Sequence, residues 1–175
     1  MQYDRGGMRV NSQTIYLAGG CFWGLQKYFD QFEGVLGTEV GYANGPDEAP
    51  TYQAVCRDSG HAETVKVDYD PEVISLTALL EKYFMVIDPL SVNRQGHDEG
   101  IQYRTGIYYA DPVQISEIEA VYRAEEAKAG RKLAVELLPL KNFFTAEEYH
   151  QKYLDKNPGG YCHIPREMLR LGKGR

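Results

Sequence analysis

Thr14-Ile15-Tyr16-Leu17-Ala18-Gly19-Gly20-Cys21-Phe22-Trp23-Gly24 sets a short apolar strand directly against a cysteine framed by glycines, and a helical pattern follows at once. The passage from a strand period to a helical period within a few residues predicts a tight turn with Cys21 at a helix N-terminus. Unpaired backbone N–H groups and the helix macrodipole favour negative charge there, and a cysteine so placed reaches a pKa of roughly 3.5–7.5 instead of about 8.5. Cys21 is therefore expected to be a thiolate nucleophile, with Phe22 and Trp23 laying apolar aromatic surface against its sulfur. The competing reading is a small buried hydrophobe next to two core aromatics. The flanking glycines and the strand-to-helix position favour the chemical role.

Outward from this turn, hydrophobic period predicts strands over residues 14–18, 35–42, 62–69, 103–109 and 133–138. Helices are expected over residues 22–32, 76–87, 112–128 and 146–156. In the second, Leu76, Leu79, Leu80, Tyr83, Phe84 and Ile87 recur on one face. Gly130 is expected to end the third, and Thr145 with Glu148 has the spacing of a capping box for the fourth. The order strand, helix, strand, strand, helix, strand is that of the split βαβ, so the predicted class is α+β. The expected architecture is a ferredoxin-like two-layer sandwich with an additional helix and an irregular C-terminal segment. Residues 43–60 and 88–102 lack clear period, and long irregular segments in a compact domain tend to carry function.

With 175 residues the chain is long enough for one domain that buries roughly 70% of its unfolded surface without staples. Residues 1–13 read as a polar tail without the apolar core of a signal peptide, and residues 157–175 as a mobile C-terminal segment. A net charge of -6 argues against a nucleic-acid surface, and no apolar run has transmembrane length. Three cysteines, Cys21, Cys56 and Cys162, are too few and too dispersed for a disulfide scaffold. They suit a cytoplasmic, reducing setting in which cysteines are catalytic or buried.

Counting by twos along strand 62–69 puts Glu63 on the face of Val65, Val67 and Tyr69, with Lys66 and Asp68 on the other. A carboxyl aimed at apolar surroundings is held protonated, as a general acid near neutral pH must be; a strand starting after Glu63 would leave it solvated. Among 14 tyrosines, Tyr103 shares strand parity with Ile107 and Tyr109, and Tyr52 lies in the first irregular segment. A phenol in such a pocket donates a hydrogen bond to an oxygen while its ring supplies apolar wall. Asp98, in the loop Gly96-His97-Asp98-Glu99-Gly100, is read either as orienting a donor or as an Asx-turn residue. Asn157-Pro158-Gly159-Gly160-Tyr161-Cys162-His163 puts Cys162 in a segment that breaks regular structure, free to meet Cys21 or to remain an unreactive thiol. A sulfenic acid at one cysteine condenses readily with a second thiol. Cys56 is expected to be a small buried apolar residue.

Gly20-Cys21-Phe22-Trp23-Gly24 resembles the signature of the A-type peptide methionine sulfoxide reductases. Four more blocks resemble that family in order: Thr51-Tyr52-Gln53-Ala54-Val55-Cys56, Gly60-His61-Ala62-Glu63, the stretch from Gln95 to Arg104, and Asn157 to Cys162. The resemblance implies reduction of the S epimer of methionine sulfoxide, free or in proteins, with Cys21 as nucleophile and Glu63 as the acid that protonates the sulfoxide oxygen. It further implies that Tyr52 and Tyr103 bind that oxygen, that Phe22 and Trp23 hold the substrate methyl group, and that Asp98 organises the polar side. Cys162 would resolve the sulfenic acid, and thioredoxin would reduce the resulting disulfide. A monomer without cofactor or metal is implied. No cysteine follows Cys162, so a two-cysteine cycle is expected rather than the relay of some members. His97 stands where Asn is more usual in the family, and no second reductase unit for the R epimer is expected. Two rivals use the same residues: a Cys-His hydrolase pairing Cys21 with His61, His97, His150 or His163, and a metal module built on Cys21, Cys162 and histidines.

Overall fold

A computed structural model describes residues 2–3 and 9–173. Its main sheet has six strands: β1 (Gln13–Ala18), β2 (Val35–Ala43), β3 (Ala62–Tyr69), β4 (Gly106–Tyr109), β5 (Glu136–Pro139) and β6 (Phe143–Thr145). The helices are α1 (Phe22–Asp30), α2 (Tyr52–Cys56), α3 (Leu76–Phe84), α4 (Ile115–Ala129) and α5 (Tyr153–Lys156). The strands lie in the order β6-β2-β3-β1-β4-β5, antiparallel throughout except for the parallel pair β4 and β5. The fold is thus mixed α and β around a mostly antiparallel sheet.

Alternation decides which face is buried. Ile15 and Leu17 of β1 lie opposite Val67 and Val65 of β3, and Leu17 lies opposite Ile107 of β4. All five are fully buried in one cluster with Leu25, Tyr28 and Phe29 of α1 and Leu79, Leu80 and Tyr83 of α3. Each such aliphatic or aromatic side chain contributes about 1.5–3 kcal/mol by leaving water. Tyr83 reaches from α3 to the end of β1, where its hydroxyl donates to the Ala18 carbonyl (2.5 Å) and accepts from the Gly106 N–H (3.2 Å). That bond fixes the strand end from which the Cys21 turn departs. The other face has a smaller cluster of Ala18, Ala43, Ala62 and Tyr108 with Tyr16 and Phe143 against it.

Several sequence expectations need correction. Helices α1 and α3 stop at Asp30 and Phe84, short of residues 32 and 87. The predicted strand 103–109 begins only at Gly106, because Tyr103 closes a 3-10 turn over Ile101–Tyr103; its parity with Ile107 and Tyr109 therefore has no meaning. The strand expected over 133–138 runs from Glu136 to Pro139. Residues 112–128 divide into a 3-10 turn and α4, which Gly130 ends in the left-handed conformation (φ 68°) as expected. The helix expected over 146–156 does not form as one element: a 3-10 turn over Glu148–His150 and the short α5 stand in its span, and Thr145 is the last residue of strand β6 instead of a cap. In place of helix, Gln151 gives its side-chain amide to β2, donating to the Val40 carbonyl (2.9 Å) and accepting from the Val40 N–H (3.0 Å). Part of the polar tail expected over residues 1–13 lies outside the described residues; Gln2–Tyr3 pairs with Arg9–Val10, and Gln13 already belongs to β1. The segment 157–175 is described to residue 173, and a 3-10 stretch over Arg166–Lys173 packs on α1, with Gln31 donating to the Met168 carbonyl (2.7 Å).

Candidate active site

Cys21 occupies the N-cap position of α1 and is 7% exposed. Gly20 before it has φ +80°, and a Cβ there would lie 2.8 Å from the Gln95 Cβ and 2.9 Å from the His163 Nε2, so only glycine fits this turn. The first free N–H of α1, that of Phe22, donates to the Glu63 Oε1 at 3.2 Å. Strand β3 thereby delivers its carboxyl to the helix end that carries the cysteine. Glu63 is 1% exposed and faces the core with Val65, Val67 and Tyr69, as alternation predicts. Burial raises its pKa to about 8, against the lowering effect of the Phe22 N–H, so the carboxyl is mostly protonated at neutral pH.

The low thiol pKa expected of a helix N-terminus does not hold. Burial pushes the Cys21 thiol well above its ordinary value, the Glu63 and Asp98 charges push the same way, and the Trp23 N–H opposes them. Desolvation of a fully buried group is worth up to about 3–5 pKa units, whereas a helix terminus supplies about 2 kcal/mol at most, or roughly 1.5 units. The resting site therefore holds a neutral thiol beside a neutral carboxyl.

Tyr52 opens α2, whose N-cap Thr51 accepts from the Ala54 N–H at 3.1 Å. Burial pushes the hydroxyls of Tyr52 and Tyr103 up, and the Glu63 charge adds to both, so each remains a hydrogen-bond donor. Asp98 sits in a two-residue hairpin with Arg94–Gln95, where its Oδ2 accepts from the Tyr161 hydroxyl at 3.0 Å. Cys56 is exposed rather than buried, because α2 is one turn of helix on the surface whose buried side chain is Val55.

Phe22 is buried and Trp23 partly so. The indole lies flat on Tyr153 of α5, with centroids 3.7 Å apart and planes at 11°, and its N–H donates to the His150 Nδ1 at 2.9 Å. His150 is fully buried, its ring 5.3 Å from that of Phe22 and 4.4 Å from that of Tyr52. Since Nδ1 accepts, the neutral ring carries its proton on Nε2, and burial pushes its pKa down. Glu147 joins the same wall, accepting from the Tyr42 hydroxyl (2.9 Å) and the Tyr52 N–H (3.1 Å). Sequence reasoning missed Glu147, Tyr153 and the support His150 gives Trp23, because these pairs join the two ends of the chain and no local pattern announces them.

Cys162 is half-buried and its Sγ lies over Gly24, one turn along α1 from Cys21; a Cβ on Gly24 would come within 2.7 Å of it. Phe22, Trp23, Glu63 and Cys162 thus stand at the Cys21 turn, Tyr52 joins them through the His150 ring, and the charges of Glu63 and Asp98 act on both Cys21 and Tyr103. His97 is exposed, and His61 engages Ser59 (2.9 Å) and the Pro46 carbonyl (2.8 Å) through its two ring nitrogens. The His163 ring packs against Gly20 beside the turn, but among the described residues no histidine hydrogen-bonds the Cys21 thiol, and no three His, Cys, Asp or Glu side chains converge as metal ligands.

A thiol with an acid at one side and a second thiol at the other exchanges oxidation state with its substrate, so the protein is a thiol oxidoreductase. A family model described as peptide methionine sulfoxide reductase matches residues 13–172. The "Peptide methionine sulfoxide reductase MsrA" of Clostridium acetobutylicum is 55% identical over 159 residues, 90% of this chain and 98% of that one. The chain belongs to the peptide methionine sulfoxide reductase family. Among solved structures, Mxr1 from Saccharomyces cerevisiae in reduced form superposes with a TM-score of 0.84 at 36% identity over 94% of each chain. Mxr1 in complex with Trx2 matches with a TM-score of 0.59 at 26% identity, over 87% of this chain and 89% of that one.

Proposed function

We propose that this protein reduces the S epimer of methionine sulfoxide, in proteins and free, to methionine, and that thioredoxin restores its thiols. The observation that carries this reading is Glu63, a protonated carboxyl bonded to the Phe22 N–H at 3.2 Å and so held beside the Cys21 turn. Oxygen leaves a sulfoxide very poorly unless it is protonated, and Glu63 has the proton to give. The hydroxyls of Tyr52 and Tyr103 donate to the same oxygen, while Phe22 and Trp23 hold the methyl group and Asp98 orders the polar side. The sulfur of Cys21 attacks the substrate sulfur, an S–S bond forms as the S–O bond breaks, and the oxygen takes a proton from Glu63 and leaves as hydroxide. The proton shed by Cys21 replaces the one Glu63 gave up. The hydroxide adds to the Cys21 sulfur, the S–S bond breaks with its electron pair on the substrate sulfur, methionine departs, and Cys21 is left as a sulfenic acid. Cys162 then attacks Cys21, water leaves, and a disulfide forms that a dithiol reductant opens. Thioredoxin as that reductant draws support from the relative complexed with Trx2.

On this reading residues 13–173 act as one domain, with 157–173 as the segment that moves. The unit β1-α1-β2-β3-α3-β4 is a ferredoxin-like split βαβ, supported by its antiparallel order β2-β3-β1-β4. The protein works in the cytoplasm; among the described residues no helix is long and apolar enough to cross a membrane.

Thiol titration with resolved epimers tests the reading. One turnover on the S epimer without reductant should consume two thiols, and the R epimer none. Cys21→Ser should be inactive even with dithiothreitol. Cys162→Ser should reduce about one equivalent per enzyme, leave a sulfenic acid that dimedone traps, and lose turnover with thioredoxin. Retained turnover in Cys21→Ser would refute the mechanism.

A further inference from the structure

The C-terminal segment and α1 enclose a cleft of about 280 Å³ lined by Lys27, Leu154, Asp155, Cys162, Arg166 and Arg170 among others. Cys21, Glu63, Tyr52 and Tyr103 are not among its walls, so the cleft reaches Cys162 from a side that the substrate pocket does not use. Its charge is one-sided: Asp155 is neutralised by Lys27, while Arg166 and Arg170 are exposed and in no ion pair among the described residues. Guanidinium groups grip carboxylates in bidentate fashion and are weakly hydrated, so two of them at the mouth of a small cleft select carboxylates. Leu154 and Leu169 supply apolar wall for a short carbon chain between. The volume lies at the lower end of small-molecule pockets.

We propose that this cleft binds small thiols carrying carboxylates, a second class of electron donor that opens the Cys21–Cys162 disulfide without a protein reductant. The inference rests on the reading of Cys162 as the resolving cysteine. A bound thiolate attacks the Cys162 sulfur, the bond between Cys162 and Cys21 breaks, and Cys21 leaves with the electron pair and takes up a proton. The mixed disulfide left on Cys162 is attacked by a second thiolate at the donor's sulfur, which frees Cys162 and releases the donor as its own disulfide. Two donor thiols are oxidised and one protein disulfide is reduced.

The test uses wild-type protein oxidised by one turnover on methionine sulfoxide, with peptide mapping of its disulfide. It is then reduced by mercaptosuccinate, 2-mercaptoethanol or cysteamine, each rate being corrected to the fraction present as thiolate. Mercaptosuccinate should be faster than 2-mercaptoethanol by on the order of tenfold, with saturation, and cysteamine should be the slowest. Salt at high concentration should erase the advantage. The pair Arg166→Ser and Arg170→Ser should lose it too, while keeping the wild-type rate with 2-mercaptoethanol and a full equivalent of methionine in a single turnover. Equal rates for the three thiols in wild type, or an advantage that survives in the double variant, would overturn the proposal and leave the two-cysteine cycle standing. A disulfide mapped to Cys56 instead of Cys162 would overturn both.

Discussion

In the proposed reaction Glu63 carries the proton, and the burial that keeps it protonated makes it a burden on the fold. Its folded pKa of about 8 lies above the ordinary 4.5, so between these values the native state binds more protons than the unfolded one. Stability is then fully present below about 4.5, falls by about 1.4 kcal/mol per pH unit above it, and is lost as pH rises through about 8. Glu63→Gln should remove that slope. Its melting temperature should match wild type near pH 4.5 and exceed it at pH 8, as calorimetry across pH would reveal. The chemical step in the same variant should slow by roughly 10²–10⁴-fold in single-turnover kinetics. In wild type that step should decline above pH 8 as the carboxyl ionises, and a flat profile through pH 9 would remove Glu63 from the role. This residue was legible in the sequence, since alternation along β3 alone turns it inward. Tyr103 reached the site by a different route from the one its sequence suggested, on a 3-10 turn whose residues follow no strand parity.

Helix α1 places its two sulfur neighbours one turn apart, and Gly24 is what lets the second approach. Gly24→Ala should add a Cβ where Cys162 Sγ now lies, at 2.7 Å, and force the segment outward. Alanine suits a helix better than glycine, so the helix itself gains. Release of the first equivalent of methionine should be unchanged, while loss of the second thiol slows on the order of 10²-fold, the penalty of misplacing a reacting atom by about 1 Å. Rapid quench with thiol counting separates the two steps, and an unchanged second step would show that Cys162 approaches from elsewhere. The start of α1 was evident from the change of period at Cys21, yet the thiol pKa was not. Propensity and dipole are local properties, whereas burial of the thiol, and the charges of Glu63 and Asp98 that add to it, depend on tertiary packing against the turn. The failed helix at 146–156 has the same origin. Residues 146–156 contain helix-forming residues, but Gln151 pairs with both backbone groups of Val40, and Lys152 takes φ +54° while its amine bonds Asp30 (2.6 Å) and Thr38 (2.9 Å). Contacts to β2 and α1 outweigh a local preference of a few tenths of a kcal/mol per residue.

Across the molecule, the C-terminal segment is tied back to the end of α1. Gln31 clasps it twice, donating to the Met168 carbonyl (2.7 Å) and accepting from the Gly172 N–H (3.0 Å). Gln31→Ala should raise amide hydrogen exchange around Met168 to Gly172 by roughly tenfold, the loss of about 1 kcal/mol per bond partly made up by water. Exchange in β1 and β3 and the first turnover should be unaffected; faster exchange across the sheet as well would mean that segment and sheet open together. The order of the elements from β1 to β4, apart from α2, was readable from local pattern, as were the residues of the turn, whereas β6 and the break of the helix expected over 146–156 were not. The clasp, the Trp23–His150 bond and the Trp23–Tyr153 stack were not, since each joins positions more than a hundred residues apart. That separation has a consequence in time. Synthesis runs from the N-terminus at roughly 5–20 residues per second, so Cys21 and Glu63 exist for several seconds before Cys162 is made. During that interval Cys56 is the other thiol on the chain. On the proposed cycle, a chain made under oxidant stress therefore presents Cys21 and Cys56 together before Cys162, the partner assigned to Cys21, has been translated.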